Sequence, residues 1–281
     1  MVLFKKAADL SNWLETQRKN KRRVGFVPTM GALHAGHLSL IDSSKKENDI
    51  TVASIFVNPT QFNDPKDFEK YPVTIEKDLD LLEKAGCNVL FLPSVKEIYP
   101  KGTISQKEYD LGFLETVLEG KYRPGHFQGV CMVVERLLNI VAPHNLYLGQ
   151  KDYQQCMVIT RLTELMGQPI RVNICPTLRE SGGLAMSSRN MRLSEEERKT
   201  ASTIYKCLSL AKEKLKPGNI AAIKKEMKTM LEKAGFKTDY AEIADARTLE
   251  LINEWDGKRK LVGLIAAFLN EVRLIDNMML N

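Results

Sequence analysis

A chain of 281 residues, 43% hydrophobic and 27% charged, has the composition of an ordinary soluble globular protein with one large domain or two smaller ones. No apolar run approaches the ~18 residues of a membrane span, and the start MVLFKKAADLSNWLE lacks the apolar core of a signal peptide. The expected address is therefore cytoplasmic, with no membrane partner. The net charge of +6 is spread over both halves of the chain, which argues against a nucleic-acid partner and leaves anionic small molecules open.

Five cysteines, at 87, 131, 156, 175 and 207, form no CxxC pair, and reduced, buried thiols are the expectation. In chain order, the pattern predicts an amphipathic helix over 5–20 and a basic link, Lys21-Arg22-Arg23. An apolar strand, Val24 to Val27, then breaks at Pro28 into a turn with Gly31 and runs on through His34-Ala35-Gly36-His37 into a helix start at Leu38-Ser39-Leu40-Ile41. Strand, glycine turn and helix start make the unit with which α/β proteins hold phosphates.

A second strand is predicted over 50–57 and a loop over Asn58-Pro59-Thr60-Gln61-Phe62-Asn63-Asp64-Pro65. A helix over about 74–86 ends at Gly86, and a third strand covers 89–92. A less regular stretch leads to the turn Gly120 to Phe127 and a long apolar helix to about 141. A short strand, 146–148, enters Gly149-Gln150-Lys151-Asp152, where Asp152 is placed to cap the next helix, and another strand covers 170–175. Strands alternating with helices imply right-handed crossovers and a parallel sheet, with ligands beyond the carboxyl ends of the strands. The polar clusters His34/His37, Asn58–Gln61 and Gly149–Asp152 all fall there.

Beyond 176 the pattern changes. A loop dense in glycine and serine, 178–190, precedes the capping box Ser194-Glu195-Glu196-Glu197 and a helix of about twenty residues. Pro217-Gly218-Asn219 breaks it, a further helix runs to Gly235, and strands follow at 238–247 and 260–269. The expected organisation is a Rossmann-like α/β domain over 1–176 and a smaller α+β C-terminal domain over 177–281.

Two imidazoles at i and i+3 on one turn can address the same phosphate group, and no third ligand is spaced to make them a zinc site. Met186-Ser187-Ser188-Arg189 offers two hydroxyls and a guanidinium that can wrap a triphosphate; a solvated linker is the competing reading. Lys151 follows a strand end. Gln61 and Gln155 are neutral donor–acceptors suited to an uncharged polar group.

Pro28 to His37 resembles the HxGH signature of the nucleotidyltransferase superfamily, and Met186-Ser187-Ser188-Arg189 resembles that superfamily's second phosphate loop. Taken with Val57 to Phe62, Arg123 to Phe127 and Gly149 to Gln155, these motifs in this order resemble the pantoate–β-alanine ligase family over about 24–192. The resemblance implies activation of pantoate by ATP to pantoyl adenylate, with pyrophosphate released, and transfer of the pantoyl group to β-alanine with AMP released. It implies ATP contacts from Met30, Gly31, Ala32, Leu33, His34, Ala35, Gly36 and His37. It extends them to Gly149, Gln150, Lys151, Asp152 and Leu178, and to Met186, Ser187, Ser188 and Arg189. Gln61 and Gln155 take pantoate, and Gln61 also β-alanine. His37, His34, Lys151 and Arg189 carry the catalysis, with His37 as proton donor or as a charge partner. Mg²⁺ accompanies the phosphates, with Asp78 as a candidate partner and a solvated helix carboxylate as the alternative. The resemblance further implies a homodimer and a C-terminal lid bearing Met186–Arg189.

Gln150 stands where the family commonly has an acidic residue, so contact through its backbone or a modest tuning effect is expected. A small tRNA-synthetase-like ligase and a silent nucleotide-binding regulator are the competing readings. The first lacks an anticodon-binding domain and a strong basic face; the second has no need of Gln61, Gln155 and a full phosphate loop together.

Overall fold

In the computed structural model, residues 1–63, 65–103 and 107–281 are described. Asp64, expected in the loop after the second strand, lies outside them. The chain divides into two compact units: Met1–Gly149 with Gln155–Pro176, and Gln150–Gln154 with Thr177–Asn281.

The first unit is built on six strands: β1 Val2–Phe4, β2 Val24–Thr29, β3 Ile50–Ile55, β4 Val89–Phe91, β5 Asn145–Gly149 and β6 Arg171–Cys175. All pair in parallel, in the order β1-β4-β3-β2-β5-β6. The helices are α1 Ala7–Lys19, α2 Ala35–Glu47, α3 Pro65–Glu69, α4 Ile75–Lys84, α5 Val95–Ile98, α6 Leu118–Tyr122, α7 His126–Val141 and α8 Tyr153–Met166. Alternation along the strands sorts the core into two layers. Val24, Phe26, Val52 and Phe91 pack with apolar residues of α1, α7 and α8. Val27, Ala53, Ile55 and Leu90 pack with Leu40 and Ile41 of α2 and Leu82 of α4. A parallel sheet covered on both faces needs nearly continuous apolar strands, which is why β3 is buried along its whole length.

From β2 the chain steps to β3 on one side, while β5 lies on the other. That reversal marks the carboxyl ends of β2 and β5 as the position where doubly wound sheets bind ligands.

The second unit contains α9 Glu195–Ala201, α10 Thr203–Lys214 and α11 Ala221–Lys233. Its strands are β7 Gly218–Asn219, β8 Lys237–Asp245, β9 Glu254–Trp255, β10 Leu261–Leu269 and β11 Val272–Met279. The strands β11-β10-β8 form an antiparallel sheet, and β7 pairs with β9. Leu208, Met227, Leu231, Ile243 and Ile265 belong to one core that joins this sheet to α10 and α11.

The α/β class and the parallel sheet are as expected, with differences of detail. β2 continues through Pro28 to Thr29, because Pro28 pairs with Ser54 in register and retains a carbonyl for the ladder. The helix after the capping box is two helices that turn at Ser202, whose side chain donates to the carbonyl of Lys199. β1 and β11 carry no sequence expectation. β1 is only three residues long, and β11 mixes charged and polar residues into its alternation.

Candidate active site

The site begins where β2 leaves the sheet. The Thr29 hydroxyl donates to the carbonyl of Ser54 (2.7 Å) and accepts from the Gly31 N–H (3.2 Å), which starts the turn. Gly31 has a φ of +83° and Ala32 one of +47°, so the turn passes twice through the left-handed region. A Cβ on Gly31 would lie 3.1 Å from the Asp78 carboxylate.

Asp78 holds the turn in that shape. It is wholly buried on α4; one carboxylate oxygen accepts from the N–H of Ala32 (2.9 Å), the other from Leu33 (2.8 Å) and the Thr74 hydroxyl (3.0 Å). This corrects the expectation of Asp78 as a magnesium partner, and the alternative of a solvated carboxylate. Both oxygens are committed to the turn, and the group is out of solvent.

The turn delivers His34 to the start of α2 in an extended conformation. The His34 N–H points to Nδ1 of His37 (3.4 Å), the His37 N–H donates to the carbonyl of His34 (2.8 Å), and the ring centroids are 4.0 Å apart. An Nδ1 that accepts puts the proton of a neutral imidazole on Nε2. The two rings are therefore one unit at a helix N-terminus, where backbone dipoles favour anions.

Gln61 joins the same assembly. Its Nε2 lies 3.0 Å from the sulfur of Met30, and its Oε1 accepts from Asn58 Nδ2 (3.1 Å). Asn58 is buried, also donates to the carbonyl of Gly129 (3.2 Å), and accepts from the Tyr99 hydroxyl (2.7 Å). Burial raises the Tyr99 hydroxyl above its ordinary pKa, so it stays a donor at neutral pH. The carbonyl of Gln61 accepts from Nδ1 of His126 (2.8 Å), and Nε2 of His126 faces Arg123 (3.1 Å). Arginine can only donate and a carbonyl can only accept, so a neutral His126 with its proton on Nδ1 fits both partners.

Gly129 makes this packing possible. A Cβ there would lie 2.2 Å from the carbonyl oxygen of Thr60, so α7 and the Asn58–Gln61 segment approach more closely than any side chain permits. Gln155 is half-buried in the first turn of α8, and no hydrogen bond among the described residues joins it to the Gln61 network.

In the second unit, Gln150–Asp152 forms one 3-10 turn, and α8 begins immediately after it at Tyr153. The Lys151 ammonium lies 3.7 Å from Asp152. Gln150 engages through both backbone and side chain: its carbonyl accepts from Asn277 Nδ2 (2.8 Å), and its Nε2 donates to Asn277 Oδ1 (3.3 Å). Leu178 accepts from the Met186 N–H (3.0 Å), closing a hairpin over 178–186. Ser187 caps the turn that follows by accepting from the Arg189 N–H (3.3 Å), and Ser188 is buried. Met186–Arg189 is thus a built turn, anchored by buried Asn190, which donates to Glu180 (2.9 Å) and to the carbonyl of Ala185 (3.1 Å).

Tyr99, Gly129, Asp276 and Asn277 had no expectation attached to them, and Asn58 was expected only as part of the polar Asn58–Gln61 loop. The usable signal was two adjacent polar residues, Asp276-Asn277, inside an otherwise apolar alternation. Among the described residues, no group of three or more His, Cys, Asp or Glu could hold a metal ion, and no helix is long and apolar enough to cross a membrane.

Known proteins resemble this chain in sequence and in fold. The profile of the family described as pantoate-beta-alanine ligase matches residues 2–279. A pantothenate synthetase of Cytophaga hutchinsonii is 48% identical over 269 residues, 95% of this chain and 94% of the relative. One from Porphyromonas gingivalis is 44% identical over 279 residues, covering 99% and 98%. The crystal structure of pantothenate synthetase from Thermus thermophilus superimposes with a TM-score of 0.91 at 40% identity, covering 100% of this chain and 99% of that one. The Francisella tularensis pantoate-beta-alanine ligase, complexed with beta-gamma ATP and beta-alanine, superimposes with a TM-score of 0.84 at 38% identity, covering 100% and 98%. With its parallel sheet, its HxGH turn and these full-length matches, the chain belongs to the pantoate–β-alanine ligase family.

Proposed function

We infer that this chain condenses pantoate with β-alanine to pantothenate at the expense of ATP, through a pantoyl adenylate. The observation that carries the reading is the assembly of Met30, His34, His37 and Gln61 around one turn, in a chain matched along its whole length by the ligase family. It puts cationic or N–H donors for phosphate beside a neutral amide for a polyol.

In the first step a pantoate carboxylate oxygen attacks the α-phosphorus of MgATP. The new O–P bond forms as the bond to the bridging oxygen of pyrophosphate breaks. Charge grows on the bridging and non-bridging oxygens, so fixed donors lower the barrier more than they strengthen ground-state binding. His34 and His37 are assigned to those oxygens, with His37 acting through its Nε2 proton. Lys151, Ser187, Ser188 and Arg189 are assigned to the same nucleotide. Met30–Leu33, Ala35–Gly36, Gly149–Gln150, Asp152, Leu178 and Met186 are assigned to line it. Magnesium enters with the phosphates as part of the substrate, which suits an ion that keeps most of its shell in water and phosphate oxygen.

Gln61 and Gln155 are assigned to pantoate. In the second step the β-alanine amine, held in part by Gln61, attacks the acyl carbon. The C–N bond forms, the acyl C–O bond to AMP breaks, and the amine releases its proton. A C-terminal domain acting as lid, a homodimer and a cytoplasmic location complete the proposal; sedimentation and cell fractionation test the last two. The direct test is product analysis with MgATP, pantoate and β-alanine. Equal amounts of AMP, pyrophosphate and pantothenate support the reading; ADP and phosphate, or turnover indifferent to pantoate, overturn it.

A further inference from the structure

The turn that carries Lys151 is held from the far end of the chain. Asn277, on β11 and nearly fully buried, aims its one amide nitrogen at two carbonyl oxygens, Gln150 and Lys151, each at 2.8 Å. Its amide oxygen takes the Gln150 side chain at 3.3 Å. Among the described residues, every hydrogen bond of the Asn277 side chain goes to one short turn.

Asn277 is itself locked. Its N–H donates to Asp276 (2.8 Å), and its carbonyl accepts from Arg179 (3.2 Å). Arg179 spans both oxygens of Asp276 at 2.6 and 3.1 Å, a forked contact, and also donates to the carbonyl of Gly183 (3.0 Å). Its guanidinium carbon lies 4.7 Å from the ring centre of Tyr205. A buried ion pair of this quality is weak evidence of net stabilisation, since desolvation offsets much of the attraction, but it fixes geometry well. Arg179 sits in the hairpin that leads into Met186–Arg189. The chain Lys151–Asn277–Asp276–Arg179 therefore ties both assigned nucleotide-binding segments of this unit to one strand.

We propose that Asn277 is a positioning residue for the nucleotide: through its two bonds to the Gln150 and Lys151 carbonyls it sets the Lys151 ammonium and the adjoining backbone for adenylation. This rests on the assignment of Lys151 to ATP. A structural asparagine alone could be satisfied by any loop; here it holds the turn that bears an assigned catalytic cation.

The test is a double-mutant cycle in the full chain, read both by pantoate-dependent pyrophosphate exchange and by calorimetric MgATP binding. Asn277→Asp keeps shape and removes both donors. It is expected to weaken adenylation about 10–100-fold, the range for losing a partner that orients a ligating group, with KM for pantoate nearly unchanged. In a Lys151→Ala background, Asn277→Asp adds about twofold or less, because both changes remove the same contribution. Independent, multiplicative losses overturn the proposal, as does wild-type adenylation and MgATP affinity in a folded Asn277→Asp protein. If that variant fails to fold, Asn277→Ser, which removes the amide without adding charge, is read by the same criteria. Should the wild-type chain lack pyrophosphate exchange altogether, the ligase reading fails, while MgATP affinity across the cycle still decides the role of Asn277.

Discussion

Asp78 shows how a single side chain prepares the chemistry without touching it. Its two oxygens accept three hydrogen bonds, two from the backbone of the turn that presents His34 and His37. Replacing it with Ala strands two buried N–H groups, and the expected loss is roughly 2–5 kcal/mol in chemical denaturation, with a fall in adenylation. The apparent Mg²⁺ requirement of the residual activity stays at the wild-type value. A raised Mg²⁺ requirement at unchanged stability contradicts the anchoring role. For His37→Ala and His34→Ala, single-turnover adenylation is expected to fall about 10²-fold or more, the scale of losing one transition-state donor. Near-wild-type rates in both variants show the phosphate assignment to be wrong.

At the scale of elements, α7 and the Asn58–Gln61 segment act as one body because Gly129 lets them touch. Gly129→Ala has no room for its methyl group, and overpacking of this kind costs about 1–3 kcal/mol. Steady-state kinetics are expected to show the KM for pantoate rising more than the KM for ATP; equal rises indicate a general loss of structure instead. The strands β2 to β6 and the helices α2, α4, α7 and α8 were legible in the sequence because an enclosed parallel sheet demands apolar runs, and the runs stand out, whereas the short helices α3, α5 and α6 were not. The positions of His34, His37, Gln61 and Lys151 at strand ends followed from the same pattern. Partners distant in sequence were not legible. Nothing local in Ile75–Lys84 distinguishes Asp78 from a solvated helix carboxylate, since its two backbone donors lie far away at Ala32 and Leu33. β11 was hidden for a related reason: Asp276 and Asn277 break its apolar alternation, and only their contacts with Arg179 and Gln150 explain them.

For the molecule as a whole, the five cysteines are buried and free, as their composition and spacing indicate. Burial pushes the thiol of Cys87 up to about 11, that of Cys131 to about 12 and that of Cys207 to about 11. The thiolate is the reactive form, so native protein at mildly alkaline pH resists alkylation while unfolded protein is labelled throughout; rapid native labelling contradicts this burial. The same shifts predict alkaline sensitivity. The unfolded chain releases thiol protons from near the ordinary 9.0, whereas the folded chain keeps those of Cys87 and Cys207 to about 11. Across that window the unfolded state binds fewer protons, so stability falls as pH rises. Denaturant midpoints measured below and within the window check the sign.

The central claim is that this chain activates pantoate with ATP before β-alanine is needed. Exchange of labelled pyrophosphate into ATP, measured without β-alanine, tests it most directly. Exchange is expected to depend on pantoate and to be lost in His37→Ala. Exchange that ignores pantoate, or that begins only when β-alanine is present, contradicts an adenylate formed in the first step.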